Sequence, residues 1–345
     1  MAPKIFITGI TGYIGGDLFE VLYKKHPDYD YSVLVRTQEK SDVVTKAYPR
    51  VKVVLGGLDD LTLVEREAAK ADVIIHTAES SEHEGAAKAI AAGLAPGHSK
   101  ERPGYWLNTG GTGILTYDDS SHQRLGDWSD LEYNDWTGVH DLTHLPDEAM
   151  HRNVDKIVLE AGTKYSDSVK TAIVCPPTIY GNGRGQVNQR SRQVYDLASF
   201  VLKHQWVPII GGGKARWKNL HIYDLSDAFV LLIEAAVAGN NDPELWGANG
   251  YLIVEHGEHT WSDIAAKIGT TAHKLGYLDA EPKVKVLHTF NDVLKEVGYN
   301  GLGWAWNARA KGERLSKVLR WEPSGPTLEV ELEEIVKREY ERGLA

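Results

Sequence analysis

The sequence predicts an α/β protein built on a doubly wound parallel sheet, and three observations carry that prediction. Strand-like and helix-like segments alternate through the first half of the chain. The strand-like runs are continuously apolar, as strands buried on both faces must be when helices cross between them. A glycine-rich turn stands between the first strand and the first helix, where this architecture places a ligand.

Each element follows from local pattern. Lys4 to Thr8 is a short β-rich run that stops at Gly9, and Tyr13 to Lys25 is helical. Tyr31 to Arg36 and Val51 to Leu55 read as the second and third strands. Leu61 to Lys70 reads as a helix, and Asp72 to His76 as the fourth strand. Ala86 to Ala95 is an Ala-rich helix stopped by Pro96 and Gly97, and Tyr105 to Thr109 is the fifth strand. Tyr117 to Glu148 is polar and aromatic with little periodicity, which predicts a long surface loop. Val154, Ile157, Val158 and Ala161 form the apolar stripe of the next helix. Lys170 to Cys175 is the sixth strand, and Pro176-Pro177 ends the regular pattern. Further helices are expected near Val194 to His204, Ser226 to Ala238, Trp261 to Leu275 and Thr327 to Arg342. Short strands are expected near Leu220 to Ile222 and Gly250 to Val254. No internal repeat or low-complexity tract is present.

Composition narrows the function classes. At about 150 residues per domain, 345 residues suggest two structural units. The net charge of −10, from 48 acidic against 38 basic residues, argues against a general nucleic-acid binder. A single cysteine, Cys175, excludes an internal disulfide and a four-cysteine zinc site, and it fits a reducing compartment. No apolar run approaches the roughly 20 residues that span a bilayer, and the first residues do not read as a signal peptide. The expectation is a cytoplasmic protein with a small-molecule substrate and no nucleic-acid or membrane partner. His140 and His144 are four apart, but Gly138 and Pro146 argue against the helix that would make them metal ligands, so no metal is expected.

The turn Thr8-Gly9-Ile10-Thr11-Gly12-Tyr13-Ile14-Gly15 lies between strand and helix, with a second strand at the expected distance. Gly9 permits the tight turn, Gly12 lets backbone approach a pyrophosphate, and Gly15 lets the helix pack closely on the sheet. The helix N-terminus favours phosphate charge. This predicts a Rossmann-type dinucleotide site. A NAD-selective site places an acidic residue at the end of the second strand. Here Val35-Arg36-Thr37 stands there with Lys40 close by, and a guanidinium suits a 2′-phosphate, so NADP(H) is favoured.

On these residues the chain resembles the extended and atypical short-chain dehydrogenases/reductases, the NAD-dependent epimerase/dehydratase-like superfamily. Gly57-Leu58-Asp59 resembles its adenine-contacting segment, and Ile75-His76-Thr77-Ala78 its motif flanking the cofactor. Pro176-Pro177-Thr178-Ile179-Tyr180-Gly181 resembles its segment passing the nicotinamide. Gly211-Gly212-Gly213 and the run Asn219 to Ala228 resemble the return from the substrate lobe. The resemblance implies a dinucleotide-binding domain from 1–180 and 219–250, and a smaller C-terminal α+β substrate lobe from 181–218 and 251–345. The active site would lie between them. It implies cofactor contacts at Gly9, Thr11, Gly12, Tyr13, Ile14, Gly15, Arg36, Leu58, Asp59, Thr77, Ala78, Lys156, Pro177 and Ile179. It also admits a homodimer.

The family's usual catalysts are a Ser or Thr after the fifth strand and a Tyr with a Lys four residues later. The expected helix reads Met150-His151-Arg152-Asn153-Val154-Asp155-Lys156. Lys156 fits the lysine, and Arg152 stands where the tyrosine would be. Thr109 and Thr112 are both candidates for the hydroxyl donor. Arg152 can stabilise an oxyanion but cannot act as an acid. His151 suits proton transfer, yet it lies about 100° around the helix from Arg152, so the two cannot enter one cleft equally well. Tyr180 is the best placed loop phenol. The Gly181 to Gly185 run reads as a phosphate loop or a hinge. Trp304 and Trp306 are candidates for a pocket wall.

The leading expectation is therefore an NADPH-dependent reductase of a small carbonyl or related substrate that lacks the usual tyrosine. A sugar-nucleotide epimerase or dehydratase is the alternative within the resemblance. A non-catalytic NADP(H)-binding regulator, like the nitrogen-repression sensors of the atypical branch, is the alternative outside catalysis.

Overall fold

Alternate side chains of each central strand enter two different cores, which is why the strand sequences are continuously apolar. In the computed structural model, which describes residues 2–344, Ile5 and Ile7 enter one core and Phe6 the other. Val33 and Val35 oppose Leu34, and Tyr105 and Leu107 oppose Trp106, in the same way. Both faces of the sheet are thus covered.

In chain order the elements begin β1 (Lys4–Thr8), α1 (Tyr13–Lys25), β2 (Asp30–Val35), α2 (Gln38–Ala47) and β3 (Lys52–Leu55). They continue α3 (Leu61–Ala68), β4 (Val73–His76), α4 (Glu84–Gly97) and β5 (Gly104–Thr109). Next come α5 (Tyr117–Ser121), β6 (Tyr133–Asn134), α6 (Val139–Thr143), α7 (Arg152–Lys164) and β7 (Val169–Cys175). The chain then gives β8 (Thr178–Tyr180), α8 (Gln193–His204), β9 (Trp206–Ile210), β10 (Arg216–His221) and α9 (Ile222–Val237). The remainder is β11 (Tyr251–Ile253), β12 (Glu258–Thr260), α10 (Trp261–Lys274), β13 (Lys283–Leu287), α11 (Phe290–Glu296), β14 (Ala310–Lys311), α12 (Arg314–Leu319) and α13 (Leu328–Leu344).

The main sheet has seven parallel strands in the order β11-β7-β5-β4-β1-β2-β3. The order reverses between β1 and β4, the crevice where such sheets bind ligands. The helix α9 lies against α1 and β4. The strand β11 pairs with β7 through Tyr251, Leu252 and Ile253 and completes the sheet at that edge. Three small sheets, β12-β10-β8, β13-β9 and β14-β6, lie outside it.

The stretch 117–148 is not the expected surface loop. Its polar residues tie it to the C-terminal part of the chain. Asp119 is buried and accepts from the Asn307 backbone N–H and Nδ2 at 2.6 and 2.8 Å. Asp135 is buried and accepts from the backbone N–H groups of Ile253, Glu313 and Arg314. Leu142 and Leu145 join the core. Periodicity missed this segment because its order comes from long-range polar contacts rather than from one apolar face.

Candidate functional site

The glycine turn has the geometry the motif requires. Gly9 has φ +88°, and a methyl there would lie 2.4 Å from Thr77 Oγ1 and 2.8 Å from the Ala78 N. A methyl on Gly15 would lie 2.3 Å from Thr77 Oγ1 and 2.5 Å from the Gly9 carbonyl. The turn and the end of β4 are therefore packed backbone to backbone. Thr77 Oγ1 donates to the Thr8 carbonyl at 2.7 Å, and Thr8 Oγ1 meets His76 Nδ1 at 2.7 Å. Gly12 caps α1 without a side-chain bond, and the first turn holds no acidic residue, so its N–H groups are open to an anion. A dinucleotide's pyrophosphate fits this cradle.

Arg36 lies exposed just past β2. Among the described residues it forms no ion pair or side-chain hydrogen bond. Thr37 caps α2 through the Lys40 N–H, which keeps Lys40 near the same corner. Leu58 packs on the core, while Asp59 is exposed and meets His83 Nε2 at 3.2 Å.

A cleft of about 570 Å³ opens beyond the turn. Tyr13, Ile14, Thr77, Pro177, Ile179, Thr112 and His151 line it. Tyr13 donates to the Gly181 carbonyl at 2.7 Å and so helps shape it. Thr112 is buried with its hydroxyl unpartnered. Thr109 is also buried and unpartnered, but it does not line the cleft, so the structure separates the two threonines.

His151 is the residue the cleft singles out. It occupies the N-cap of α7 with φ +70°, a left-handed conformation uncommon for a side-chain-bearing residue. Its Nδ1 lies 2.5 Å from Glu82 Oε1. Its Nε2 edge faces the glycine turn after β5: methyls on Gly113 and Gly111 would lie 3.0 and 3.4 Å from that atom. The Glu82 contact places the Nδ1–H toward the carboxylate and leaves Nε2 toward the cleft.

The other expected catalytic residues are elsewhere. Lys156 is exposed, and both oxygens of Asp147 hold its Nζ at 2.8 and 2.9 Å. Lys156 does not line the cleft, which corrects the expectation that it reaches a ribose there. Arg152 is buried, with Nε and Nη1 unpartnered, and it too does not line the cleft. Tyr180 is fully buried, and its hydroxyl donates to the Pro326 carbonyl at 2.9 Å, so it is not a loop phenol facing substrate. The reason is helical register. Aligning Lys156 with the family lysine placed Arg152 at the tyrosine position, whereas the cleft-facing positions are one residue earlier. His151 lines the cleft, and Asp155, four residues on, lies buried on the same side next to Gly110.

Asp155 accepts from the Tyr251 hydroxyl at 2.9 Å, its Oδ1 is unpartnered, and burial raises its carboxyl to about 6. Burial also raises Asp135 to about 6, against its backbone donors. In both cases the folded chain holds the proton more tightly than the unfolded chain. These groups therefore favour folding at low pH and oppose it as pH rises through 6. His76 acts in the opposite sense: burial lowers it to about 3, so stability is lost as pH falls below the ordinary histidine range. Asp155→Asn is expected to raise stability at pH 8. The gain should narrow below pH 6 and close near pH ~4, where an ordinary carboxylate is protonated. Urea unfolding at several pH values checks this; an equal gain at every pH would contradict it.

Glu82 gave no sequence signal, because it sits 69 residues from His151 in an exposed polar turn. Trp304 and Trp306 do line the cleft, joined by Trp217. The Gly181 to Gly185 loop is a tether: Arg184 binds the buried Asp17 of α1 through its backbone N–H and guanidinium. Among the described residues, no cluster of three or more metal-ligating side chains occurs, and no helix is long and apolar enough to cross a membrane.

Comparison with known proteins agrees with this architecture. The model of the NAD dependent epimerase/dehydratase family matches residues 5–94 and 148–245. The chain is 38% identical to the Oxidase ucsJ of an Acremonium species, covering 99% of both chains. It is 26% identical to an uncharacterised protein of Schizosaccharomyces pombe over 69% of this chain and 72% of that one. Among solved structures, the dTDP-glucose 4,6-dehydratase DesIV of Streptomyces venezuelae, with NAD and TYD bound, superposes with a TM-score of 0.67 at 15% identity. It covers 98% of this chain and 97% of that one. The UDP-glucose 4-epimerase of Thermotoga maritima, with UDP-glucose, gives 0.65 at 15% identity over 99% and 100%. At that identity these two likenesses concern the fold. The chain belongs to the NAD dependent epimerase/dehydratase family, the extended type of short-chain dehydrogenase/reductase, whose members depend on a nicotinamide dinucleotide.

Proposed function

We propose that the chain is an NADP(H)-dependent oxidoreductase that reduces a small-molecule carbonyl to its alcohol, with His151 moving the proton. The observation that carries this reading is the His151–Glu82 pair, with Nε2 in the cleft against Gly111 and Gly113, the residues on either side of Thr112. The turn Gly9 to Gly15, with Thr77, Ala78, Pro177 and Ile179, would hold the dinucleotide, and Arg36 its 2′-phosphate. The bound cofactor supplies a hydride. His151 delivers the proton that turns the resulting alkoxide into an alcohol, while Glu82 fixes the ring and balances its charge. Thr112 offers a hydroxyl to the oxygen on which charge develops. The 38% identical relative is named an oxidase, which supports an oxidoreductase at the coarser level.

The direct test is consumption of NADPH over a panel of carbonyl compounds, using cofactor deuterated at the transferable position. Deuterium on the product's carbinol carbon is the expected result. Tight NADPH binding without consumption would favour the regulator. Conversion of a sugar nucleotide with no net change in cofactor would favour the epimerase.

Cofactor choice has its own test. Losing a charge-assisted contact costs about 1.5–3 kcal/mol, so Arg36→Ala should weaken NADPH binding by roughly ten- to a hundredfold. NADH binding should barely change. Calorimetry showing equal losses for both would reject the assignment.

A further inference from the structure

Three indoles line the cleft, and two of them have their N–H groups already used within the chain. Trp217, Trp304 and Trp306 line it with Leu302 and Met150. Trp217 Nε1 donates to the Trp306 carbonyl at 2.6 Å, and Trp306 Nε1 donates to the Arg124 carbonyl at 3.2 Å. Those two rings therefore offer a ligand apolar surface and no N–H. Trp304 is buried and packs against Trp261 and Phe200, which holds the wall in place.

The charge inventory is equally uneven. Arg190 lines the cleft, but Glu339 holds it at 2.8 and 2.9 Å and Asp196 at 2.7 Å, and Arg342 lies 4.0 Å from Glu339, so the Arg190 guanidinium is already committed to carboxylates within the chain. Arg192, two residues on, lines the same cleft and is exposed. Among the described residues it forms no ion pair or side-chain hydrogen bond. One guanidinium is thus free to meet an anion.

From this wall and this charge we infer that the substrate is a flat, apolar, ring-bearing carbonyl compound with a single carboxylate, rather than a nucleotide sugar. The rings lie on the indole wall and the carboxylate pairs with Arg192. A guanidinium takes a carboxylate through two parallel hydrogen bonds, and one positive charge balances a monoanion. Asn188, Ser191, Gln193 and Asn300 also line the cleft and can pair a few hydroxyls, but a nucleotide sugar brings a diphosphate whose charge one free guanidinium does not balance. This inference rests on the carbonyl-reduction reading for the chemistry, but it is tested by binding.

Equilibrium dialysis of the full-length protein with NADP+ would compare a formyl-naphthoate, uncharged naphthaldehyde and UDP-glucose. The formyl-naphthoate is expected to bind most tightly. Arg192→Ala should weaken it about ten- to a hundredfold and change naphthaldehyde less than about threefold. Arg192→Lys, which keeps the charge and loses the fork, should fall between. Tighter binding of UDP-glucose, equal losses for both naphthyl probes, or no binding of either would overturn the inference. The expected binding pattern without NADPH consumption would remove the proposed reaction and leave the ligand class standing.

Discussion

His151→Gly is expected to lower kcat by about 10²–10⁴-fold, the usual contribution of a positioned acid–base group, without lowering stability. Glycine adopts φ +70° at no steric cost, and it is acceptable at a helix N-cap. What the folded chain loses is a hydrogen bond to Glu82, whose side chain is 59% exposed, so little stability goes with it. A backbone conformation retained at the expense of strain, with the ring aimed into a cleft, indicates a positional requirement on that side chain. Added imidazole should restore part of the rate in the glycine variant. Glu82→Gln should be milder, because it keeps a hydrogen-bond partner and removes only the charge. A glycine variant that turns over at the wild-type rate would remove His151 from the mechanism. One that unfolds readily would show that the histidine is there for structure.

Asp17→Ala should produce the largest loss of stability. Asp17 is fully buried in α1 and accepts four hydrogen bonds: from the Arg184 backbone N–H at 2.7 Å, Arg184 Nε at 2.9 Å, Arg184 Nη2 at 2.7 Å and Ser226 Oγ at 2.6 Å. It therefore joins the helix behind the glycine turn to the loop after β8 and to α9. Arg184 also lies over the Tyr223 ring at 3.9 Å, which fixes it from the other side. Truncation leaves a half-buried guanidinium and a buried hydroxyl without their acceptor, a change that costs about 3–5 kcal/mol. Asp17→Asn keeps the shape and part of the acceptor capacity, so its loss should be smaller. Urea unfolding compares the three proteins; an alanine variant within about 1 kcal/mol of wild type would contradict the assignment. Because α1 carries the N-terminus at the proposed pyrophosphate site, the alanine variant should also bind NADPH more weakly.

The strands and the glycine turn were legible because local chemistry dictates them. Continuous apolar runs such as Lys4 to Thr8 and Lys170 to Cys175 have no other stable place than a sheet covered on both faces. Gly9 and Gly15 can be read directly, since the close approach to Thr77 tolerates no Cβ. The segment 117–148 was illegible for the opposite reason. Asp119 and Asp135 are ordered by donors more than a hundred residues away, at Asn307, Ile253, Glu313 and Arg314. Such contacts leave no periodic trace.

The catalytic candidates divide along the same line. The sequence by itself determined the sheet, the dinucleotide turn, the basic residue after β2 and the absence of a tyrosine four residues before Lys156, because each depends on residues close along the chain. Only the tertiary structure decided that His151 rather than Arg152 faces the cleft, that Asp147 holds Lys156 at the surface, that Tyr180 points at Pro326, and that Thr112 rather than Thr109 lines the wall. One residue of helical register rotates a side chain by about 100°. Sequence spacing cannot fix that rotation when a lysine and an aspartate stand side by side. The packing of α7 against α4 and β7, together with Glu82 arriving from the β4–α4 turn, sets it.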